Sequence, residues 1–497
     1  MNRVVSGQFM LGRHLLNYLP VNAAQAIVGF GGVYVLTRVL SLEDYGHYAQ
    51  ALAAMSLIHV PVTMWLEASA ARFYARAERR GRLADHFATL YAAYAPIALL
   101  FMLVLALGLW LAPLSAEVKT LAGFTGAALI TRAAMKIFQE TRRAAHESVR
   151  YGMLESVYLV GGFGLGVSLI LATPLRAAGP FAGMLAATIL CIALEAPSML
   201  RRAKGGKPDA RRAAAYARYG APLALSQVLV LIVSVSDRFL IAAFLGDAAA
   251  GTYFAGYALA DRTLDVLFIW IGMAAGPLAV ALLEREGRDR AKESLRVQSE
   301  AMVLLTLPAA VGLALVAQPL AAVMTGASFH AEAAAIIPWI AAAGFLSGFS
   351  TYYLDQSLEL ARKTHLFPLV LAVPAAANIA LNLLLIPRFG IMGAVAGTVV
   401  AYAIGAVSTY LIGRRHFPLP LPVTAFVRTA AACGAMAAAV LLAPQLQEAW
   451  LQLLVHAGAG FIVFAAAALA LDAGPARALA LAALRHIRPA PVAEAAS

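Results

Sequence analysis

Residues 201–220 read RRAKGGKPDARRAAAYARYG, and their seven cations sit between two long runs of apolar sequence. A helix needs about 20 apolar residues to cross about 30 Å of hydrocarbon, and both flanking runs reach that length. The pattern recurs along the chain. Cations crowd every second gap between apolar runs: Arg72, Arg76, Arg79, Arg80 and Arg82, then Arg142, Arg143 and Arg150, then the quoted segment. Further on come Arg285, Arg288, Arg290, Lys292 and Arg296, the pair Arg362 and Lys363, and Arg414, Arg415 and Arg428. The alternate gaps offer only Arg38, Lys119, Arg176 and Arg388. Such alternation marks a polytopic membrane protein, and the positive-inside rule places the crowded side, with both termini, in the cytoplasm.

Reading the long apolar runs as spans predicts fourteen helices: 15–40, 45–70, 87–112, 121–141, 151–172, 180–200, 219–245, 252–282, 297–324, 334–360, 366–386, 391–412, 425–443 and 450–471. None alternates apolar and polar residues as the strands of a membrane barrel must, so the fold class is all-α. Composition agrees. A chain of 497 residues that is 62% hydrophobic and 13% charged has too little polar surface for a water-soluble globule. The net charge of +12 does not imply a nucleic-acid partner, because the cations hug the span ends beside anionic lipid headgroups instead of forming one basic face. Cys191 and Cys433 both fall inside apolar runs, which excludes a disulfide framework and a cysteine metal site. No cofactor is expected, and no phosphate-binding G-x-x-x-x-G-K-[ST] loop occurs that would point to ATP hydrolysis. The first apolar stretch, with Asn17, Pro20, Asn22 and Gln25, reads as a retained helix and not as a signal peptide.

An internal repeat divides the spans. Leu40, Gly46 and Tyr48 recur at the same spacing as Leu245, Gly251 and Tyr253, and FAGMLAAT from Phe181 matches IMGAVAGT from Ile391 at Gly183, Ala186 and Thr188 against Gly393, Ala396 and Thr398. Two landmarks in the same order predict two pseudo-symmetric six-helix lobes in parallel orientation. The expected division is an N-lobe at 1–203, a basic linker at 204–218, a C-lobe at 219–416, two further spans at 417–472 and a cytoplasmic tail at 473–497. The loops opposite the basic side are short, leaving no room there for the folded domain of a glycosyltransferase or polymerase.

Three stretches carry a family resemblance: TRVLSLEDYGHYAQALA (37–53), DRFLIAAFLGDAAAGTYFAGYALA (237–260) and NLLLIPRFGIMGAVAGTVVAY (382–402). They resemble signature regions of the bacterial polysaccharide transporters, the O-antigen and exopolysaccharide flippases of the multidrug/oligosaccharidyl-lipid/polysaccharide exporter superfamily. The resemblance implies a secondary-active flippase of the inner membrane in which two lobes rock around a cationic cavity. Its cargo would be a polyprenyl-pyrophosphate-linked oligosaccharide carried to the outer leaflet, with H+ or Na+ and the polysaccharide assembly proteins as further partners. A lipid II flippase and a drug or cation antiporter of the same superfamily stay open as alternatives. In fourteen-span relatives the last two helices are thought to offer a groove for the lipid tail; the apolar 425–471 fits that role and ordinary lipid-facing helices equally.

Ionisable residues inside spans are costly unless paired or wetted, so each is a candidate for function. Arg132 and Lys136 lie four apart on one helical face, which suits them to a pyrophosphate; Lys136 could equally snorkel to the inner interface. Arg238 and Arg262 complete the expected cationic set. Asp237 and Asp261 reach similar depth in adjacent antiparallel spans, so cross-pairs Asp237–Arg262 and Arg238–Asp261 are geometrically reasonable, either as structural bridges or as transport residues. With Glu67 and Asp265, these two acids form the expected proton or ion coupling set; Asp265 stands out for lacking a cation at i+3 or i+4. Asn22, Gln25, Tyr352, Tyr353, Asp355, Gln356, Asn378 and Asn382 are placed on the glycan path, although interhelical amides also serve as packing contacts worth about 1 kcal/mol.

Overall fold

The computed structural model describes residues 2–478 and Leu481, with side chains described from Pro20 onward except at Ser148 and 273–275. Residues 479, 480 and 482–497 of the expected tail lie outside the described set. Fourteen long helices carry the chain: α1 (Asn2–Val39), α2 (Leu42–Arg79), α3 (Leu83–Leu111), α4 (Ala116–Ala144), α5 (Val149–Ala172), α6 (Arg176–Ala203), α7 (Ala210–Leu245), α8 (Asp247–Arg285), α9 (Arg288–Leu315), α10 (Ala327–Leu360), α11 (Thr364–Phe389), α12 (Ile391–Gly413), α13 (Val423–Leu442) and α14 (Ala449–Ala470). No strand occurs among the described residues. Among the described residues, α2 to α14 are the thirteen helices long and apolar enough to cross a membrane. α1 contains the first expected span, whose side chains before Pro20 fall outside the described set.

Local chemistry sets the helix ends. Ser41 caps α2 by accepting from the Asp44 backbone N–H at 3.0 Å, Ser115 caps α4, and Asp209 caps α7 by accepting from the Arg211 and Arg212 backbone N–H groups. Gly246 turns the chain from α7 into α8 at φ 91°, a conformation costly for any residue with a Cβ. The expected span 297–324 is broken, with α9 ending at Leu315 and a short helix, Ala317–Met324, following. The apolar midsection of α3 has no buried residue, and Leu99, Leu100, Leu103, Val104 and Leu107 are all exposed, as a lipid-facing surface requires.

Contacts divide the described chain into two compact units. One runs to Ala255 and adds Thr325–Phe329 and Ile379–Ala394; the other comprises Gly256–Met324, His330–Asn378 and the chain from Val395 on. In this division α7 belongs to the first unit. Packing is the reason. Gly220 of α7 lies so close to the Trp65 backbone of α2 that a Cβ would overlap it, and Tyr216 of α7 is buried against His86 of α3 with a 2.5 Å contact between hydroxyl and Nδ1. The expected linker is itself helical from Ala210, leaving only 204–209 as connection. Within the second unit α13 and α14 pack on α9 through Leu304, Met436 and Phe464, while Leu441, Leu442, Phe461 and Ile462 stay exposed.

The repeat has a physical expression inside the first unit. A Cβ on Gly46 would overlap the Asp247 carbonyl, and a Cβ on Gly251 would overlap the Leu42 carbonyl. Since 42 relates to 247 as 46 relates to 251, the contact is reciprocal, as expected of a pseudo-twofold pair. Asp247 also accepts from Gln50 at 2.6 Å and meets His47 Nε2 at 3.1 Å. Gly46→Ala should therefore lower stability in detergent by about 1–3 kcal/mol, the usual cost of overpacking. Gly108→Ala, where a new Cβ meets nothing, should leave the melting temperature unchanged or raise it; equal melting of the two variants would refute the close contact.

Candidate functional site

The first unit holds a cluster of intramembrane charges on α2, α4 and α5. Arg132 on α4 is buried, and its Nη2 donates to both carboxylate oxygens of Glu155 on α5 at 2.6 and 2.8 Å. Nη1 reaches Gln139 at 3.4 Å, and the guanidinium stacks on the Tyr158 ring at 3.7 Å. Lys136, one turn on, stands 3.6 Å from the same Glu155, with its side chain 28% exposed. Glu67 on α2 lies within electrostatic reach of both cations. Arg132 and Lys136 do share a face, as their spacing predicted, but neither is a bare cation: Glu155 already partners both.

Glu155 was not among the expected site residues. Its signal was in the sequence, as an acid inside the span 151–172, which on cost alone qualified it as a candidate. Thr63 is a similar omission, whereas His59, two turns before Glu67, reads from the sequence as hydrogen-bonded structure more readily than as a relay. His59 Nε2 lies 3.2 Å from the Glu67 carboxylate, and the Thr63 hydroxyl bridges the two, at 3.2 Å from His59 Nδ1 and from Glu67. Residues eight apart in an uninterrupted α-helix sit about 80° apart round the axis. A π turn at Val60–Met64 inserts the extra residue that brings His59 and Glu67 onto one face.

Two more π turns flank acids. Val157–Gly161 follows Glu155 and carries Tyr158, and Ser350–Leu354 precedes Asp355 in α10. At the latter the Asp355 N–H bonds back to the Ser350 carbonyl at 2.9 Å, and the Tyr352 carbonyl within the turn accepts from the side chains of Gln298 at 3.1 Å and Gln356 at 2.5 Å. Tyr352 also stacks on Phe268 and meets Asp265, while the buried Tyr353 hydroxyl donates to the Pro420 carbonyl. Asp355 is a side-chain partner of Thr409 on α12. Tyr352, Tyr353, Asp355 and Gln356 thus come together in the second unit; Gln356 and Tyr353 are buried, so packing accounts for them as well as a sugar path would. Asn378 and Asn382 are fully buried, Asn22 is half-buried and Gln25 exposed.

Near the α7–α8 turn the first unit holds Asp237 and Arg238. Asp237 is buried and accepts from the Tyr253 hydroxyl and from the Arg238 backbone N–H at 2.9 Å. Arg238 lies over the Phe254 ring at 4.4 Å. Arg262 and Asp265 are exposed residues of the second unit, Asp261 is half-buried there, and Arg262 acts electrostatically on Asp265 from the preceding turn. Asp265 therefore has a cation at i−3 and a tyrosine, although nothing at i+3 or i+4.

At the arginine-rich ends of α4, α5 and α6 a second network appears. Arg142, expected only as a loop charge marking the cytoplasmic side, is instead buried at 2% exposure and bonds both Glu147 and Glu195. Arg150 reaches Glu195 at 2.7 Å and Arg202 reaches Glu147 at 2.5 Å. Burial alone would raise the Glu147 carboxyl, but the hydrogen bond and charge of Arg202, with those of Arg142, hold it below the ordinary 4.5. Its contribution to stability is therefore complete above that pH and lost as pH falls through the lower folded value.

These features define a multi-pass α-helical membrane protein with paired charges buried among its spans. The chain belongs to the polysaccharide biosynthesis protein family, whose model matches residues 11–283, more than half of its length. Among solved structures it is similar to the lipid II flippase MurJ in an inward closed conformation, with 13% identity, a TM-score of 0.72, and coverage of 95% of this chain and 100% of that one. It is also similar to a multidrug resistance MATE family transporter of the MOP superfamily. The inward-facing form gives 13% identity and a TM-score of 0.60 over 80% of this chain and 98% of that one. The outward-facing form gives 13% and 0.58 over 81% and 94%. At these identities the likeness is one of fold. No curated protein sequence matches the chain.

Breaking a buried pair strands a charge, whereas replacing both partners does not. Arg132→Ala should cost about 3–5 kcal/mol by leaving the buried Glu155 only Lys136, 3.6 Å away, as a partner. The double variant Arg132→Met with Glu155→Leu, in which Lys136 keeps its 28% exposure and the nearby charge of Glu67, should restore most of that loss in thermal unfolding; additive losses would show that the two do not depend on each other.

Proposed function

We propose that this protein is a secondary-active flippase that moves a polyprenyl-pyrophosphate-linked oligosaccharide from the cytoplasmic to the outer leaflet of the bacterial inner membrane, for assembly of a surface polysaccharide. The reading places the basic loops and both termini in the cytoplasm and lets the two six-span halves of the repeat rock in alternating access. The observation that carries it is the Arg132–Glu155–Lys136 cluster, in which two cations inside a span share one carboxylate. Two cations already share a carboxylate there, so an incoming pyrophosphate can take over the guanidinium fork, which matches phosphate geometry. Glu155 then needs either a proton or another partner.

That requirement supplies a route for coupling. Glu67, backed by His59 and Thr63, stands beside the same cations, so a proton taken up by either carboxylate lowers the competition for Arg132 and Lys136. Substrate binding and protonation then favour each other, and the proton gradient biases the cycle. Na+ is the other candidate ion. Asp237, Asp261 and Asp265 are the remaining coupling candidates, with Arg238 and Arg262 as further contacts to the anion. Tyr352, Tyr353, Asp355, Gln356, Asn378 and Asn382, with Asn22 and Gln25 on α1, are proposed to line the sugar path. Membrane lipid would hold the polyprenyl tail, and proteins of polysaccharide assembly would receive the product.

A lipid II flippase is the second reading. It is favoured over a drug exporter because the match to the lipid II flippase extends over 95% of the chain against 80% for the exporter. A deletion strain separates the two: accumulation of a lipid-linked repeat unit with viable cells supports the first, and accumulation of lipid II with lysis the second.

The Arg132→Met, Glu155→Leu variant, which keeps its fold on the argument above, should reach the membrane at wild-type levels and lose surface glycan display. Glu67→Gln should retain residual transport in vesicles that no longer responds to collapse of the proton gradient. Normal display by the double variant, or wild-type transport indifferent to both H+ and Na+ gradients, would remove this mechanism.

A further inference from the structure

The arginine-rich end of the first unit contains a cavity of about 280 Å³ that the transport reading does not use. Arg76, Arg80, Arg82, Arg211 and Arg212 line it, with Asp209 as the single acid among the lining residues. Three elements converge to build it: the end of α2, the turn through Gly81 into α3, and the first turn of α7. The His86–Tyr216 contact and the Gly220–Trp65 approach lock these elements together, and the Lys207 and Asp209 backbone N–H groups donate to Asp85 and Thr89.

Ordinary topology-marking arginines do not have this arrangement. On α9, Arg290 pairs with Glu286 just before the helix and Arg296 with Glu293 and Glu300 inside it, so their charge is met locally. In the cavity, Arg82 and Arg212 share Asp85 at 3.4 and 3.6 Å, and among the described residues Arg76, Arg80 and Arg211 form no ion pair. Asp209 is already committed to the α7 N-terminus, accepting from two backbone N–H groups. Nη1 of Arg212 is buried without a hydrogen-bond partner in the protein, although a guanidinium N–H out of water normally has one. The excess of cation and the orphan donor both call for an anion with several oxygens.

We propose that this cavity is a phosphoanion-binding site, taking a phosphate or pyrophosphate group either from a lipid headgroup at the membrane surface or from a soluble ligand. Arg212 supplies the buried donor, and Arg80 and Arg211 close over the group from the open side. Planar guanidinium forks suit phosphate oxygens, and the excess of positive charge draws the anion in. The site stands or falls independently of the glycan-transport reading.

The test uses the full-length protein purified in an uncharged detergent. Calorimetry with inorganic pyrophosphate should give one saturable site in the wild type, weakened about tenfold or more in Arg80→Gln with Arg211→Gln, and unchanged in Arg290→Gln. In parallel, native mass spectrometry after reconstitution in phosphatidylcholine nanodiscs with and without phosphatidic acid reads lipid retention. Pyrophosphate binding without lipid retention assigns a soluble ligand; retention of phosphatidic acid that the double variant loses assigns a headgroup. Failure of both probes to bind the wild type, or equal binding by a double variant of unchanged melting temperature, would overturn the site.

Discussion

Hydrocarbon offers no water to a stranded charge, and this constraint organises the first unit. Arg132 and Glu155 tie α4 to α5, and Arg142 with Glu147 and Glu195 ties the ends of α4, α5 and α6 together. In water, pairs of this kind contribute little. Among spans each cation must find its acid, so the pairs decide which helices are neighbours and at what height. Such a network is also poised for exchange. An anion that offers Arg132 a better partner, or a proton that removes the old one, alters a contact between helices and not merely a local charge.

The three π turns bear on the same point. Each lies within three residues of an acid, Glu67, Glu155 or Asp355, and each shifts the face of the helix beyond it by the angle of one extra residue. In α2 the result is a His59–Thr63–Glu67 chain that regular helix geometry would have splayed. In α10 the Tyr352 carbonyl within the turn takes two glutamine donors. Distortions of this kind concentrate where side chains are aimed for a purpose, and here they coincide with the charged and polar groups from which a transport path would be built.

Apolar surface and small residues supply the remaining framework. Reciprocal contacts of Gly46 and Gly251 bring the repeated turns together at backbone distance, the approach that membrane helices use in the absence of a hydrophobic drive between them. Exposed leucines on α3 and on α13 and α14 complete a lipid-facing surface. Charge collected at the opposite ends of these elements therefore has two fates. Some arginines are neutralised, as on α9 and around Arg142, and others are gathered unpaired into the cavity between α2, α3 and α7.

Hydropathy and loop charge by themselves determined that the chain is a helical multi-pass membrane protein, because a twenty-residue apolar run has one stable conformation in lipid and arginine marks its ends. The repeat at Gly46 and Gly251, the shared face of Arg132 and Lys136 and the likeness to polysaccharide transporters were legible for the same reason: each is local spacing. Which acid meets Arg132 was not legible, since Glu155 lies on another helix and depends on how α4 and α5 pack. Nor was the burial of Arg142, the π turn that joins His59 to Glu67, or the docking of α7 on α2 through Gly220. Those follow from approach distances between helices, and only the tertiary structure sets them.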